Sequence, residues 1–225
     1  MKVLVACEFS GRVRDAFIEK GHDAISCDFL PAEGKYIENH YRGSVLDLID
    51  NGGPYDLMIA FPPCTYLCSS GLHWNGRVPG RQEKTEAALK FVRTLLDAPI
   101  PRIALENPVG CISSRIRKPD QKIQPYDFGH DASKGTCLWL SNLPKLVGTS
   151  YCAPRMVDGK KRWANQTDSG QNRLGPSDTR AKERSTTYAG IAQAMADQWG
   201  GDLRPVLPVH VCRDLFCNCE KETKV

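Results

Sequence analysis

Short apolar runs alternate with stretches in which apolar residues recur every three or four positions. Residues 2–7 form a Val-rich run that reads as a buried strand, turned by Glu8-Phe9-Ser10-Gly11. Val13, Ala16 and Phe17 then mark a short helix that Lys20-Gly21 ends. Residues 23–29 make a second strand, closed by Leu30-Pro31. Further strands are expected over 56–60, 103–105 and 136–140. A helix over 83–97 carries Ala87, Ala88, Phe91, Val92, Leu95 and Leu96 as its apolar stripe. Thr187 is placed to cap a last helix running to Trp199, with Ile191, Met195 and Trp199 on one face. Strands alternating with helices predict an α/β fold built on a doubly wound, Rossmann-like sheet, with a small irregular insertion at 151–184 where periodicity is lost.

In such sheets ligands sit at the carboxyl ends of the strands. Three strand ends carry unusual residues: Glu8 to Gly11, Pro62-Pro63-Cys64, and Glu106-Asn107-Pro108. Cys64 follows two prolines that stiffen its loop, as a held nucleophile requires; it would have to react as thiolate. Taken alone, it reads more readily as a small buried hydrophobe. Glu106 follows an apolar strand, where desolvation raises a carboxyl's pKa and suits it to protonating a ring nitrogen. Taken alone, it reads equally as the acidic residue of an ordinary turn.

The pair changes those weights. A strand ending in Pro-Pro-Cys and a later strand ending in Glu-Asn resembles the signature of the DNA cytosine-C5 methyltransferases. The chain is most similar to short, phage-type members, whose middle reads much like residues 124–130 (Gln-Pro-Tyr-Asp-Phe-Gly-His) and 134–143 here. The resemblance covers residues 1–145 and 184–200. It implies an S-adenosylmethionine-dependent methyltransferase sheet, with Cys64 attacking cytosine C6 and Glu106, beside Asn107, holding ring N3 and the exocyclic amine. It implies that Glu8, Phe9, Ser10 and Gly11 cradle the cofactor's methionine part, with Pro62 beside them. Asp28, ending the second strand, would hold its ribose hydroxyls, and the last helix with Gly190 would close the pocket. Two positions depart from the family: Val13 stands where a second glycine is usual, and no arginine stands near Lys134-Gly135-Thr136, where the family contacts the base. Arg115 and Arg117 are the candidate substitutes.

Composition adds little but excludes some classes. Of 225 residues, 41% are hydrophobic and 25% charged, as in ordinary globular proteins, and the net charge of +4 permits nucleic-acid binding without arguing for it. No apolar run reaches the roughly 20 residues of a membrane helix. Residues 1–9 lack a signal-peptide pattern, so the ten cysteines are expected to be reduced thiols of a cytoplasmic protein rather than a disulfide framework. The expected organisation is a catalytic core at 1–150, a basic recognition segment at 151–184, a closing helix at 185–200 and a Cys-rich tail at 201–225.

Within the basic segment, Lys160, Lys161 and Arg162 flank Trp163, the combination that meets phosphates and stacks on bases; a solvated basic loop is the plain alternative. The tail holds His210, Cys212, Cys217 and Cys219, four soft ligands that could close a structural zinc site, or stand as idle thiols. The leading expectation is methylation of cytosine C5 in DNA. A free nucleotide or RNA substrate, and a non-catalytic nucleic-acid-binding relic, remain open, as does the oligomeric state.

Overall fold

The computed structural model describes residues 1–175, 177 and 180–201. Val3, Leu4, Val5 and Ala6 are wholly buried in β1 (Lys2–Ala6), and all four residues of β4 (Leu57–Ala60) are buried too. Continuous apolar strands of this kind need cover on both faces, which is the mark of a parallel α/β sheet. β1 pairs in parallel with β2 (Asp23–Asp28) on one side and with β4 on the other, and β2 pairs with β3 (His40–Arg42). β4 then pairs in parallel with β5 (Ile103–Pro108). β7 (Thr136–Ser141) is antiparallel both to β5 and to β6 (Gln121–Ile123). The seven-stranded sheet therefore runs β3-β2-β1-β4-β5-β7-β6.

Helices cover both faces. On one, α1 (Arg12–Glu19) and α7 (Ala189–Trp199) pack together over Val3, Val5, Leu57, Ile59 and Leu138. On the other, α2 (Val45–Asn51), the short α3 (Ser69–Leu72), α4 (Arg81–Leu96) and the short α5 (Ile112–Arg115) cover Leu4, Met58, Ile103, Leu105 and Trp139. The doubly wound α/β arrangement is as expected, with β7 as its antiparallel exception. No helix among the described residues is long and apolar enough to cross a membrane.

Several local expectations are corrected. α4 buries Thr85, Leu89, Val92 and Leu95, while Ala87 is exposed and Phe91 and Leu96 are half-buried. Thr85 sits inside because its hydroxyl donates to the Tyr66 carbonyl and accepts from Asn75, which fastens α4 to the chain after Cys64. The cap of α7 is Tyr188 rather than Thr187, and no side chain supplies the bond. Instead the Gly190 amide donates to His130 Nε2 at 2.8 Å. A Cβ at Gly190 would lie 1.9 Å from the Phe128 carbonyl, so α7 can dock there only with glycine. Segment 151–184 is less irregular than expected: it contains the hairpin β8 (Arg155–Val157) and β9 (Lys160–Arg162), and the short α6 (Arg180–Ser185).

Candidate active site

The strand order reverses between β1 and β4, the place where a doubly wound sheet opens a crevice at its carboxyl rim. In the β4–β5 pairing Ala60 lies opposite Leu105. The two strands therefore deliver Phe61-Pro62-Pro63-Cys64 and Glu106-Asn107-Pro108 side by side. Asn107 joins them: its buried side-chain amide donates to the Pro62 carbonyl at 2.7 Å. The amide oxygen of Asn107 has no partner among the described residues.

Glu106 opens to the rim yet is enclosed by protein. That desolvation raises its carboxyl pKa above the usual range, and the opposing pulls of the Lys134 ammonium and a Thr136 hydrogen bond reduce the rise. Cys64 is half-buried and interacts first with Cys68, then feels burial and the Glu106 charge, all of which hold its proton on; Lys134 acts the other way. Lys134 thus faces both members of the pair. It is held there by its own donation to the Arg184 carbonyl at 2.6 Å.

At the end of β1, Glu8 is buried and accepts from the Ser10 hydroxyl, while its second oxygen has no partner among the described residues. Burial raises the Glu8 pKa, against the Ser10 hydrogen bond. Gly11 has φ 71°, and a Cβ there would meet the Arg14 guanidinium at 2.2 Å and the Glu33 carbonyl at 2.4 Å, so this turn accepts only glycine. Val13 is buried in the core, and its amide approaches the Glu8 carboxylate at 3.5 Å. Asp28 ends β2 and accepts from the Leu30 amide at 2.9 Å, and the neighbouring Phe29 ring is 73% exposed. An unsatisfied buried acceptor, a carboxylate at a strand end and a bare ring beside it fit a nucleoside cofactor with a charged amino-acid tail. Glu8 would meet that tail's ammonium, Asp28 the ribose and Phe29 the base.

Most of the residues expected to touch nucleic acid are engaged within the protein. Trp163 is 7% exposed, stacked on Tyr126 at 4.2 Å between centroids, and its indole donates to the Cys152 carbonyl. It anchors the hairpin and is not presented to a base. Trp163→Ala should therefore lower stability by about 3–5 kcal/mol in urea unfolding, as for other buried aromatics. A loss under about 0.5 kcal/mol, the range of surface substitutions, would reject this role. Arg162 is turned toward the Asp168 carbonyl, while Lys160 and Lys161 are exposed on β9. Arg115 is paired with Glu86, and Arg117 with Asp120 and the Leu140 carbonyl. Neither arginine is among the charges acting on Cys64 or Glu106, whereas Lys134 acts on both.

The sequence reading missed Lys134, Cys68, Phe29 and an aromatic–basic stretch just after Cys64. There the Arg77 guanidinium lies 5.8 Å from the centroid of the Trp74 ring, which is 45% exposed, and Arg81 and Lys84 lie over Tyr66. Alternating Tyr, Trp, Arg and Lys over 66–84 is the signal that could have found it. The proposed zinc ligands His210, Cys212, Cys217 and Cys219 lie outside the described residues. Among those described, no group of His, Cys, Asp and Glu could hold a metal ion.

No family model and no curated protein matches the chain. Among solved structures it is similar to a prophage-encoded E. coli protein described as a candidate DNA modification methyltransferase, at 14% identity and a TM-score of 0.45, over 68% of this chain and 52% of that one. It is also similar to WbdD bound to the kinase inhibitor LY294002, at 14% identity and a TM-score of 0.36, over 69% of this chain and 39% of that one. A low-resolution WbdD structure gives 13% identity and a TM-score of 0.33, over 73% and 34%. The chain spans about half the length of the first of these and less of the others. Likenesses this distant carry no argument about activity, which rests on the rim itself.

Proposed function

We propose that the protein is an S-adenosylmethionine-dependent methyltransferase acting on C5 of cytosine in DNA. The observation that carries this reading is the Asn107–Pro62 bond, which joins the loop of a thiol to the loop of a carboxyl whose pKa is raised by burial. Cytosine C5 is a poor nucleophile. Addition of Cys64 Sγ at C6 moves the C5–C6 π pair toward C5 and makes it enamine-like. Glu106 donates its proton toward N3 and accepts from the exocyclic amine, stabilising the charge that develops in the ring. Lys134 adds a positive field over both groups. Bound S-adenosylmethionine supplies an electrophilic methyl group, with Glu8, Asp28 and Phe29 positioned to hold it. Solvent water then takes the C5 proton, the C5–H pair restores the C5–C6 double bond, the carbon–sulfur pair leaves on Cys64 Sγ, and the N3 proton returns to Glu106.

Duplex DNA would have to present its cytosine flipped out of the stack, at a cost of roughly a few kcal/mol. Exposed Trp74 with Arg77, close in sequence to Cys64, offers stacking and phosphate contacts for the strand around such a base. The inward-turned Trp163 favours a second reading, in which the same chemistry acts on RNA or a free nucleotide. Labelled S-adenosylmethionine supplied with duplex DNA, single strands, RNA and cytidine monophosphate in parallel separates these. The expected product is 5-methylcytosine in DNA, formed less efficiently as salt rises. Label in RNA or nucleotide alone would move the substrate, and transfer to none of the four would reject the enzyme reading.

A further inference from the structure

The turn that ends β1 is faced by a cation from far along the chain. Lys182, in α6, sets its Nζ 2.5 Å from Glu33 Oε1 and 5.4 Å from the centroid of the Phe9 ring. Both partners are fixed at their backbones. The Glu33 amide donates to the Phe9 carbonyl at 2.8 Å, and the Glu33 carbonyl accepts from the buried Arg14 guanidinium at 2.7 Å. Two residues on, the Lys35 amide donates to Asp15 at 2.6 Å. On α6, the Lys182 carbonyl accepts from the Ser185 and Thr186 hydroxyls at 2.8 and 3.1 Å, and the Arg184 carbonyl accepts from Lys134. The ion pair itself is open, with the side chains of Lys182 and Glu33 51% and 47% exposed. Pairs this exposed add little to stability, so the lysine can change partner at small cost.

We propose that Lys182 is a cofactor-binding residue, its ammonium taking the carboxylate of the S-adenosylmethionine tail in exchange for Glu33. That tail is a zwitterion. Glu8, buried at the end of β1 with one carboxylate oxygen lacking a partner among the described residues, answers the tail's ammonium. The carboxylate then needs a cation at the same turn. Arg14 is wholly buried and committed to Asp15, Ser26 and the Glu33 carbonyl. Lys182 stands over the ring that follows Glu8, and its paired acid is a half-exposed side chain. Released, the Glu33 carboxylate stays where water can solvate it, so the exchange strands no buried charge. Lys182 lies between the two stretches that resemble the methyltransferase family, and the resemblance therefore gives it no role.

This role rests on the cofactor reading above, and binding measured without nucleic acid separates the two. Titration calorimetry on the full chain compares S-adenosylmethionine with its decarboxylated form, which keeps the ammonium, the sulfonium and the nucleoside. Wild-type protein should bind the decarboxylated form roughly tenfold more weakly, the low end for a charged hydrogen bond. Lys182→Met, which keeps the stem and removes the charge, should weaken S-adenosylmethionine by about the same factor and leave the decarboxylated form unmoved. That unmoved affinity also shows that the variant is folded. Lys182→Arg should restore the preference for the carboxylate. Glu33→Gln should bind S-adenosylmethionine as tightly as wild type or more tightly, because Lys182 no longer has a partner to leave. Unchanged S-adenosylmethionine binding in Lys182→Met, or an equal loss of both forms, overturns the assignment. So does a Glu33→Gln variant as weak as Lys182→Met, which would make the pair a structural tie. A carboxylate-specific loss in Arg12→Met alone would move the contact to Arg12, exposed at the start of α1. Wild-type protein that binds neither form would reject the cofactor reading itself, and the role of Lys182 with it.

Discussion

Incubated with S-adenosylmethionine and DNA carrying 5-fluorocytosine, the protein should form a covalent adduct that survives denaturation. Fluorine at C5 cannot leave as a proton does, so elimination stops and the sulfur stays on C6. Peptide mapping should place the adduct on Cys64, and Cys64→Ser should abolish it entirely. The rim contains a second, more readily ionised thiol in Cys68, so the mapping is a sharp discriminator. An adduct on Cys68, or one that persists in Cys64→Ser, would transfer the nucleophile's role. Cys111 and Cys137 provide internal controls: both are buried, and burial raises their pKa, so neither should be modified.

Glu106→Gln should lower kcat by roughly 100-fold or more, the range of acid–base assistance, with cofactor affinity nearly unchanged. Glutamine keeps the shape and one acceptor but has no proton to give. The pH dependence has a definite direction. Enclosure raises the Glu106 pKa, so turnover should decline as pH rises through that raised value and the carboxyl ionises. Stability follows the same sign. A group whose pKa is higher in the folded chain than in the unfolded one favours folding at low pH, and that contribution is lost as pH rises through the folded value. Glu106→Gln should therefore flatten the stability profile between the ordinary glutamate pKa and the raised folded one. Unchanged turnover in this variant would return Glu106 to the role of a turn residue.

The sheet was legible because its strands are short, continuous apolar runs ended by Gly or Pro, and burial on both faces makes such runs unmistakable. Edge elements were not: β3, reading His-Tyr-Arg, has neither alternation nor an apolar run, and it holds its place through pairing with β2. The α4 stripe was legible through Ala88, Phe91, Val92, Leu95 and Leu96, all packed on the core, but it left out Thr85, which is polar in composition yet buried with its hydroxyl satisfied by Tyr66 and Asn75. At the rim, motif spacing was enough to bring Cys64 and Glu106 to one place, since adjacent parallel strands must end together. It could not reveal Lys134, which reaches the rim from a later segment and whose place depends on a backbone carbonyl in α6. Trp163 misled for a related reason. Neighbouring lysines suggested a solvent-facing ring, but Tyr126, distant in sequence, offers it a stacking partner inside.

The buried bond from Asn107 to the Pro62 carbonyl also limits how this rim can be rebuilt. Replacing either loop alone strands an amide or a carbonyl in the interior, and each such orphan costs about 1–3 kcal/mol. Changes in the two loops will therefore fail to add, as contacting residues generally do. Anyone transplanting this chemistry onto another sheet must move both strand ends as one cassette, together with the spacing of the strands beneath them.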